Sequence, residues 1–166
     1  MAKGRSGSSA STPATVALVR DGIAFEAREY EHNPDTTDFG AEAAEALGVD
    51  PDRVFKTLLA EVDGALAVAI VPVSGLLDLK ALAAALGGKR AAMADPKVAE
   101  RKTGYVVGGI SPIGQRSRLR TVLDASAELH DSVLVSGGRR GLDIQLTPGD
   151  LVRATGAVVA PIGRAR

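Results

Sequence analysis

Cysteine and tryptophan are absent from these 166 residues, and three phenylalanines and two tyrosines are the only aromatics. Without cysteine there is no disulfide framework, no thiolate nucleophile and no thiolate metal ligand. The two histidines, His32 and His130, stand far apart and form neither HxxH nor HExxH; a protein-built zinc site is not expected. No apolar run approaches the roughly 20 residues a membrane helix needs. The longest, ALAVAIVPV at 65–73, holds a proline and has the length of a buried strand. The opening MAKGRSGSSASTPAT lacks the apolar stretch of a secretory signal. It reads as a disordered tail over residues 1–14, ahead of one domain at 15–166, with the cytoplasm as the default location. No GxxxxGK[ST] occurs and no GxGxxG opens a helix, so the standard nucleotide loops are missing. Ser136 and His130 form no recognisable triad with a carboxylate, which leaves serine hydrolysis weakly supported.

What is present is an aliphatic core and an uneven charge. The apolar share is 45%, and the length suffices for a single domain with a real interior. Formal charge is zero, yet residues 21–63 carry twelve Asp/Glu against three Lys/Arg, while residues 89–120 carry eight Lys/Arg against two Asp/Glu. Such a split either solvates separate helix faces or presents one positive face to an anionic partner.

The local signals predict an irregular mixture of helices and strands. Thr12 and Pro13 open a helix that Gly22 stops, and IAFEAREY follows as a strand ending at Tyr30. Asp38 caps a short Ala/Glu helix that Gly48 ends. VFKTLLAEV and ALAVAIVPV flank Asp63-Gly64, the clearest hairpin in the chain, and their apolar character suits a central position in a sheet. Asp78 starts a helix closed by Gly87-Gly88, and Asp95 with Pro96 starts another closed by Gly104. SVLVSGG and LDIQL form a second strand pair. Thr147 with Asp150 opens the last helix, before a short strand AVVAPI. The order fits an α+β fold, with a mixed sheet forming a partly closed, barrel-like core and packed helices, better than a doubly wound sheet.

Three features stand out chemically. TGYVVGGISPIGQ at 103–115 places Gly104, Gly108, Gly109 and Gly114 close together; the stretch either connects elements or offers bare amides to a ligand. Lys56 sits inside the apolar run VFKTLLAEV, on the face opposite Phe55 and Thr57. It is either an edge gatekeeper or a cation held in a pocket. Asp143 lies alone in the apolar strand LDIQL, where it either accepts turn amides or pairs with a cation.

The segments YEHNP, VFKTLL, VAIVPVSGLLDLKALAAALGGKRAAMADPKVAERKTGYVVGGISPIGQ and VSGGRRGLDIQL resemble the YbaK-type aminoacyl-tRNA editing family, and in particular its free-standing Cys-tRNA(Pro) deacylases. The resemblance spans roughly residues 15–163. It implies the barrel-like fold of prolyl-tRNA synthetase editing domains. It also implies an enzyme that removes cysteine from mischarged Cys-tRNA(Pro), and from Cys-tRNA(Cys), with no cofactor and no metal. Cysteine and proline are similar in size, which is why a synthetase pocket alone discriminates poorly between them. Carried over, the resemblance assigns Lys56, Gly108 and Asp143 to catalysis and Tyr30, Thr57, Gly109 and Ser136 to substrate binding. Gly108 and Gly109 would let backbone amides approach the ester and stabilise an oxyanion. Lys56 would anchor a phosphate or ribose of the 3′ adenosine. The implied mechanism is substrate-assisted: the cysteinyl thiol attacks its own ester carbonyl and expels tRNA. Implied partners are aminoacyl-tRNA and, in a ternary complex, prolyl-tRNA synthetase. Two other readings stay open: water-dependent hydrolysis of another small aminoacyl-tRNA such as Ala-tRNA(Pro), and a non-catalytic tRNA-binding module.

Overall fold

The computed structural model describes residues 11–166; residues 1–10, most of the expected tail, lie outside them. The Thr12 hydroxyl accepts from the Thr15 amide at 3.2 Å and donates to Gly137 O at 2.5 Å. Pro13 and Ala14 therefore already belong to helix α1 (Pro13–Arg20), and Ala14 is fully buried.

The predicted hairpin forms the centre of the molecule. Strands β2 (Phe55–Val62) and β3 (Ala65–Pro72) pair in antiparallel register from Phe55↔Pro72 to Val62↔Ala65. Asp63 and Gly64 both take positive φ, 50° and 85°, as a type I′ turn requires. Short β5 (Ala91–Met93) extends β2, and β6 (Arg120–Asp124) and β9 (Val158–Ala160) extend β3 in parallel, giving the order β5-β2-β3-β6-β9. The sequence reading misses β6. Its three inner residues, Thr121, Val122 and Leu123, are buried on both faces, so the strand shows no alternation.

A second sheet runs β1 (Glu26–Glu29), β8 (Leu142–Leu146) and β7 (Val133–Arg139); a two-stranded pair joins β4 (Gly75–Leu77) to β10 (Gly163–Ala165). Helices α2 (Phe39–Leu47), α3 (Leu79–Ala85), α4 (Pro96–Thr103) and α5 (Pro148–Thr155) begin at the expected caps Asp38, Asp78, Asp95 and Thr147. Closing a barrel needs a continuous ladder between edge strands. Here the two larger sheets share one isolated bridge, Val54↔Leu134, and a bulge between Ser136 and Arg139 interrupts β7. The sheets are open, and the architecture is a layered, mixed α+β packing.

The main core lies between these two sheets. Phe55, Leu59, Val68, Ile70 and Leu123 meet Val133, Val135, Ile144 and Leu146, with Leu18 and Leu151 from the helices sealing the ends. The opposite face of the five-stranded sheet packs Ala60, Val62, Ala69 and Val71 under Leu82 of α3. A smaller cluster sets Val54, Val73 and Leu134 against Ala43 and Ala44 of α2. Among the described residues, no helix is long and apolar enough to cross a membrane.

Candidate active site

Alternation in β8 decides what each of its side chains meets. Ile144 and Leu146 face the main core, which sends Asp143 and Gln145 to the other face. Asp143 is flanked in register by Arg28 of β1 and Ser136 of β7. It is 5% exposed. No protein donor among the described residues bonds its carboxylate, because the Arg28 guanidinium bonds Gln145 Oε1 instead. Burial pushes the Asp143 carboxyl up to about 7, and Arg28 only partly offsets it. The reading that Asp143 accepts turn amides therefore fails. Tyr30, just beyond β1, is half-buried; desolvation first, then the field of Asp143, pushes its phenol up to about 12. The Ser136 hydroxyl accepts from the Gly138 amide at 3.2 Å.

On the facing side, Lys56 stands in the part of β2 that β5 does not reach, since that pairing begins at Ala60. Its ammonium donates to Gly75 O at 3.1 Å and has no ion-pair partner among the described residues. Desolvation first, then nearby Arg166, holds its pKa below the ordinary lysine value, and Asp38 acts in the opposite direction. Next to it, the Thr57 hydroxyl is buried with no hydrogen-bond partner among the described residues. A buried hydroxyl left this way costs roughly 1–3 kcal/mol.

The glycine stretch is tied down at several points. The Tyr105 hydroxyl donates to Ile113 O at 2.6 Å, and the Val107 amide donates to Glu100 Oε2 at 2.7 Å. Val107 O accepts from Arg140 Nε at 3.0 Å and Nη2 at 2.6 Å. The same guanidinium lies 4.8 Å from the centroid of the Phe39 ring. Gly108 has φ 91°, and a Cβ there would lie 2.7 Å from Arg140 Nε and 2.9 Å from Phe39 Cε1. Its own amide donates to no acceptor among the described residues. Gly109 does not share this role. Its amide donates to Val106 O at 2.8 Å, and its Cα packs so tightly on the β7–β8 turn that a Cβ would lie 2.8 Å from Arg139 Cα. Gly104 caps α4, and Gly114 packs against the start of α1.

These pieces enclose one cavity of about 630 Å³. Tyr30, Lys56, Thr57, Gly108, Ser136 and Asp143 all line it; Gly109 does not. The fold thus gathers six of the seven expected residues from three strands and two loops. It also adds Phe39, Val107 and Arg166 to the lining, with Arg140 supporting Phe39 and Gly108 from behind. Phe39 carried a faint signal, being one of three phenylalanines and lying between the helix cap Asp38 and Gly40. Among the described residues no group of three or more His, Cys, Asp or Glu is placed to hold a metal ion.

Residues 33–154 match the family model described as an aminoacyl-tRNA editing domain. A protein of Enterococcus faecalis with the provisional name Cys-tRNA(Pro)/Cys-tRNA(Cys) deacylase EbsC is 38% identical over 138 residues, covering 81% of this chain and 84% of that protein. A proline–tRNA ligase of Moorella thermoacetica is 35% identical over 97 residues, which are 58% of this chain and 16% of the ligase. The crystal structure of a candidate trans-editing enzyme for prolyl tRNA synthetase superposes with a TM-score of 0.83 at 26% identity, covering 97% of this chain and 100% of that one.

Proposed function

The chain belongs to the aminoacyl-tRNA editing domain family, and from that premise we propose that it is a free-standing deacylase acting on Cys-tRNA(Pro) and Cys-tRNA(Cys). One observation carries the reading: a lysine, a buried carboxyl near neutrality and Gly108, whose amide has no acceptor among the described residues, line a single cavity in a chain with no cysteine of its own. The nucleophile is then the substrate's thiol. Asp143, with a pKa of about 7, lies close enough to an ordinary thiol near 8.5 to take its proton at modest cost. The thiolate attacks the ester carbonyl carbon, and the Gly108 amide stabilises the oxyanion that forms. The bond from that carbon to the ribose oxygen breaks. Asp143 returns its proton to the ribose oxygen, and the amino acid leaves as a four-membered thiolactone. Ring closure of this kind gains from effective concentration when the pocket holds sulfur and carbonyl together. Pairing with prolyl-tRNA synthetase belongs to the same proposal, supported by the likeness to a segment of a proline–tRNA ligase.

The same Asp143 favours a second reading, because a carboxylate titrating near 7 also suits a general base for water. Rates on Cys-tRNA(Pro) and Ala-tRNA(Pro) separate the two. The thiol mechanism predicts at least a hundredfold preference for the cysteinyl ester; equal rates would promote water hydrolysis. Binding of both without turnover would leave a tRNA-binding module.

A further inference from the structure

The Gly108 amide can serve the proposed reaction only when it faces the cavity, and a side chain from another loop governs its direction. Residues 106–109 form a tight turn, closed by the Gly109 amide donating to Val106 O at 2.8 Å. Gly108 holds the third position with φ 91°, as a type II turn requires. A type I turn over the same residues would set φ there to about −90°, with the Val107–Gly108 peptide turned over. Both types share the closing hydrogen bond, and glycine tolerates either conformation. The turn alone therefore does not fix which way the Gly108 N–H points.

Arg140 fixes it. Its Nε and Nη2 donate to Val107 O at 3.0 and 2.6 Å, and the Phe39 ring holds the guanidinium in place, 4.8 Å from its centroid. The 107–108 peptide is trans, so its N–H points away from the carbonyl that Arg140 grips. Val107 and Gly108 line the cavity, whereas Arg140 does not. Holding the carbonyl on the Arg140 side thus turns the Gly108 N–H to the cavity side. The preceding peptide is anchored as well, since the Val107 amide donates to Glu100 Oε2 at 2.7 Å. Two charge-assisted bonds on Val107 O also polarise the 107–108 peptide and strengthen its N–H as a donor. We propose that Arg140 is a positioning residue: through Val107 O it selects the peptide orientation that presents the Gly108 amide to the ester oxygen. Arg140 sits in the turn between β7 and β8, so the strand pair that carries Asp143 also orients the oxyanion donor.

The catalytic part of this role rests on the deacylase reading above, whereas the turn geometry does not, and two readouts keep them apart. In a type II turn the Val107 Hα lies close to the Gly108 amide proton; in type I the two amide protons approach each other instead. Nuclear Overhauser spectra of the wild-type chain show a strong cross-peak between Val107 Hα and the Gly108 amide proton. Arg140→Met keeps an aliphatic stem beside Phe39 and loses both donors. In that variant the cross-peak weakens and one between the Val107 and Gly108 amide protons grows. Its kcat on Cys-tRNA(Pro) falls about tenfold or more, while affinity for uncharged tRNA(Pro) stays within about twofold of wild type. Arg140→Lys restores the charge and one donor and recovers part of both signals, so it carries the same test should the methionine variant fail to fold. An unaltered cross-peak pattern, or a smaller loss of kcat, overturns the positioning role. So does a loss confined to tRNA affinity, which would make Arg140 an RNA contact. If the cross-peaks change as described while the wild type does not turn over Cys-tRNA(Pro), the deacylase reading fails and the orienting of the Gly108 amide by Arg140 stands.

Discussion

At one end of the cavity Lys56 reaches from the stretch of β2 that β5 leaves uncovered to a backbone carbonyl, and Arg166 stands nearby. At the other end Asp143 sits in the middle strand of a three-stranded sheet, almost wholly buried and without a donor on its carboxylate. The first end carries two basic side chains held by backbone carbonyls, and it suits recognition of an anion. The second withholds solvation and donors, so its group titrates near neutrality and suits proton transfer. Gly108 and Thr57 line the same cavity, and neither the Gly108 amide nor the Thr57 hydroxyl has a hydrogen-bond partner among the described residues.

Removing the charge from the first wall gives the largest effect. Lys56→Ala lowers kcat/KM by about a thousandfold while the thermal unfolding temperature stays close to wild type, because a half-buried lysine with one carbonyl contact contributes little to stability. Lys56→Arg recovers a part of the loss. Near-wild-type turnover in the alanine variant would remove Lys56 from the site.

Asp143→Asn separates activity from stability in the opposite sense. Turnover falls about a hundredfold as the base is lost. The folded carboxyl, near 7, holds a proton through a window where the unfolded one, at 3.8, has released it. Stability therefore falls as pH rises from about 4 to 7, and the asparagine variant escapes that loss. Unfolding scans detect the gain as on the order of 2–4 kcal/mol at pH 8 and almost none at pH 4. A variant less stable than wild type at pH 8 would mean that the carboxylate has a stabilising partner.

Two smaller effects probe the space between the walls. Gly108→Ala forces a side chain into positive φ and against Arg140 and Phe39, costing about 1–3 kcal/mol of stability and roughly tenfold in kcat/KM. Thr57→Val removes an unsatisfied buried hydroxyl, so unfolding becomes harder by up to about 1 kcal/mol while kcat/KM drops about threefold. Unchanged turnover there would assign the hydroxyl no substrate contact.

The chain's regular elements were legible because local chemistry settles them. Caps at Thr12, Asp38, Asp95 and Thr147 and the Asp63-Gly64 turn need only their neighbours. Strand β6 was not legible, since burial on both faces erases its period, and neither were the short pairs β4–β10 and β2–β5, which exist only through distant partners. Resemblance to a family pointed to Tyr30, Lys56, Thr57, Ser136, Asp143 and Gly108, but residue types alone could not separate Gly108 from Gly109. One amide is left free and the other is spent on Val106 O, a difference set by loop geometry. Arg140 and Arg166 were invisible for a related reason: both act across contacts that link residues far apart in sequence.

In the proposed mechanism the substrate brings its own nucleophile to a cavity that supplies charge, a base and an oxyanion donor. Deacylation of Cys-tRNA(Pro) compared with the same tRNA carrying S-methylcysteine tests it most directly, because the added methyl blocks attack and leaves the ester unaltered. A drop of at least a hundredfold, with similar affinity for the two tRNAs, is the predicted result. Equal rates of cleavage would contradict it and identify water as the nucleophile.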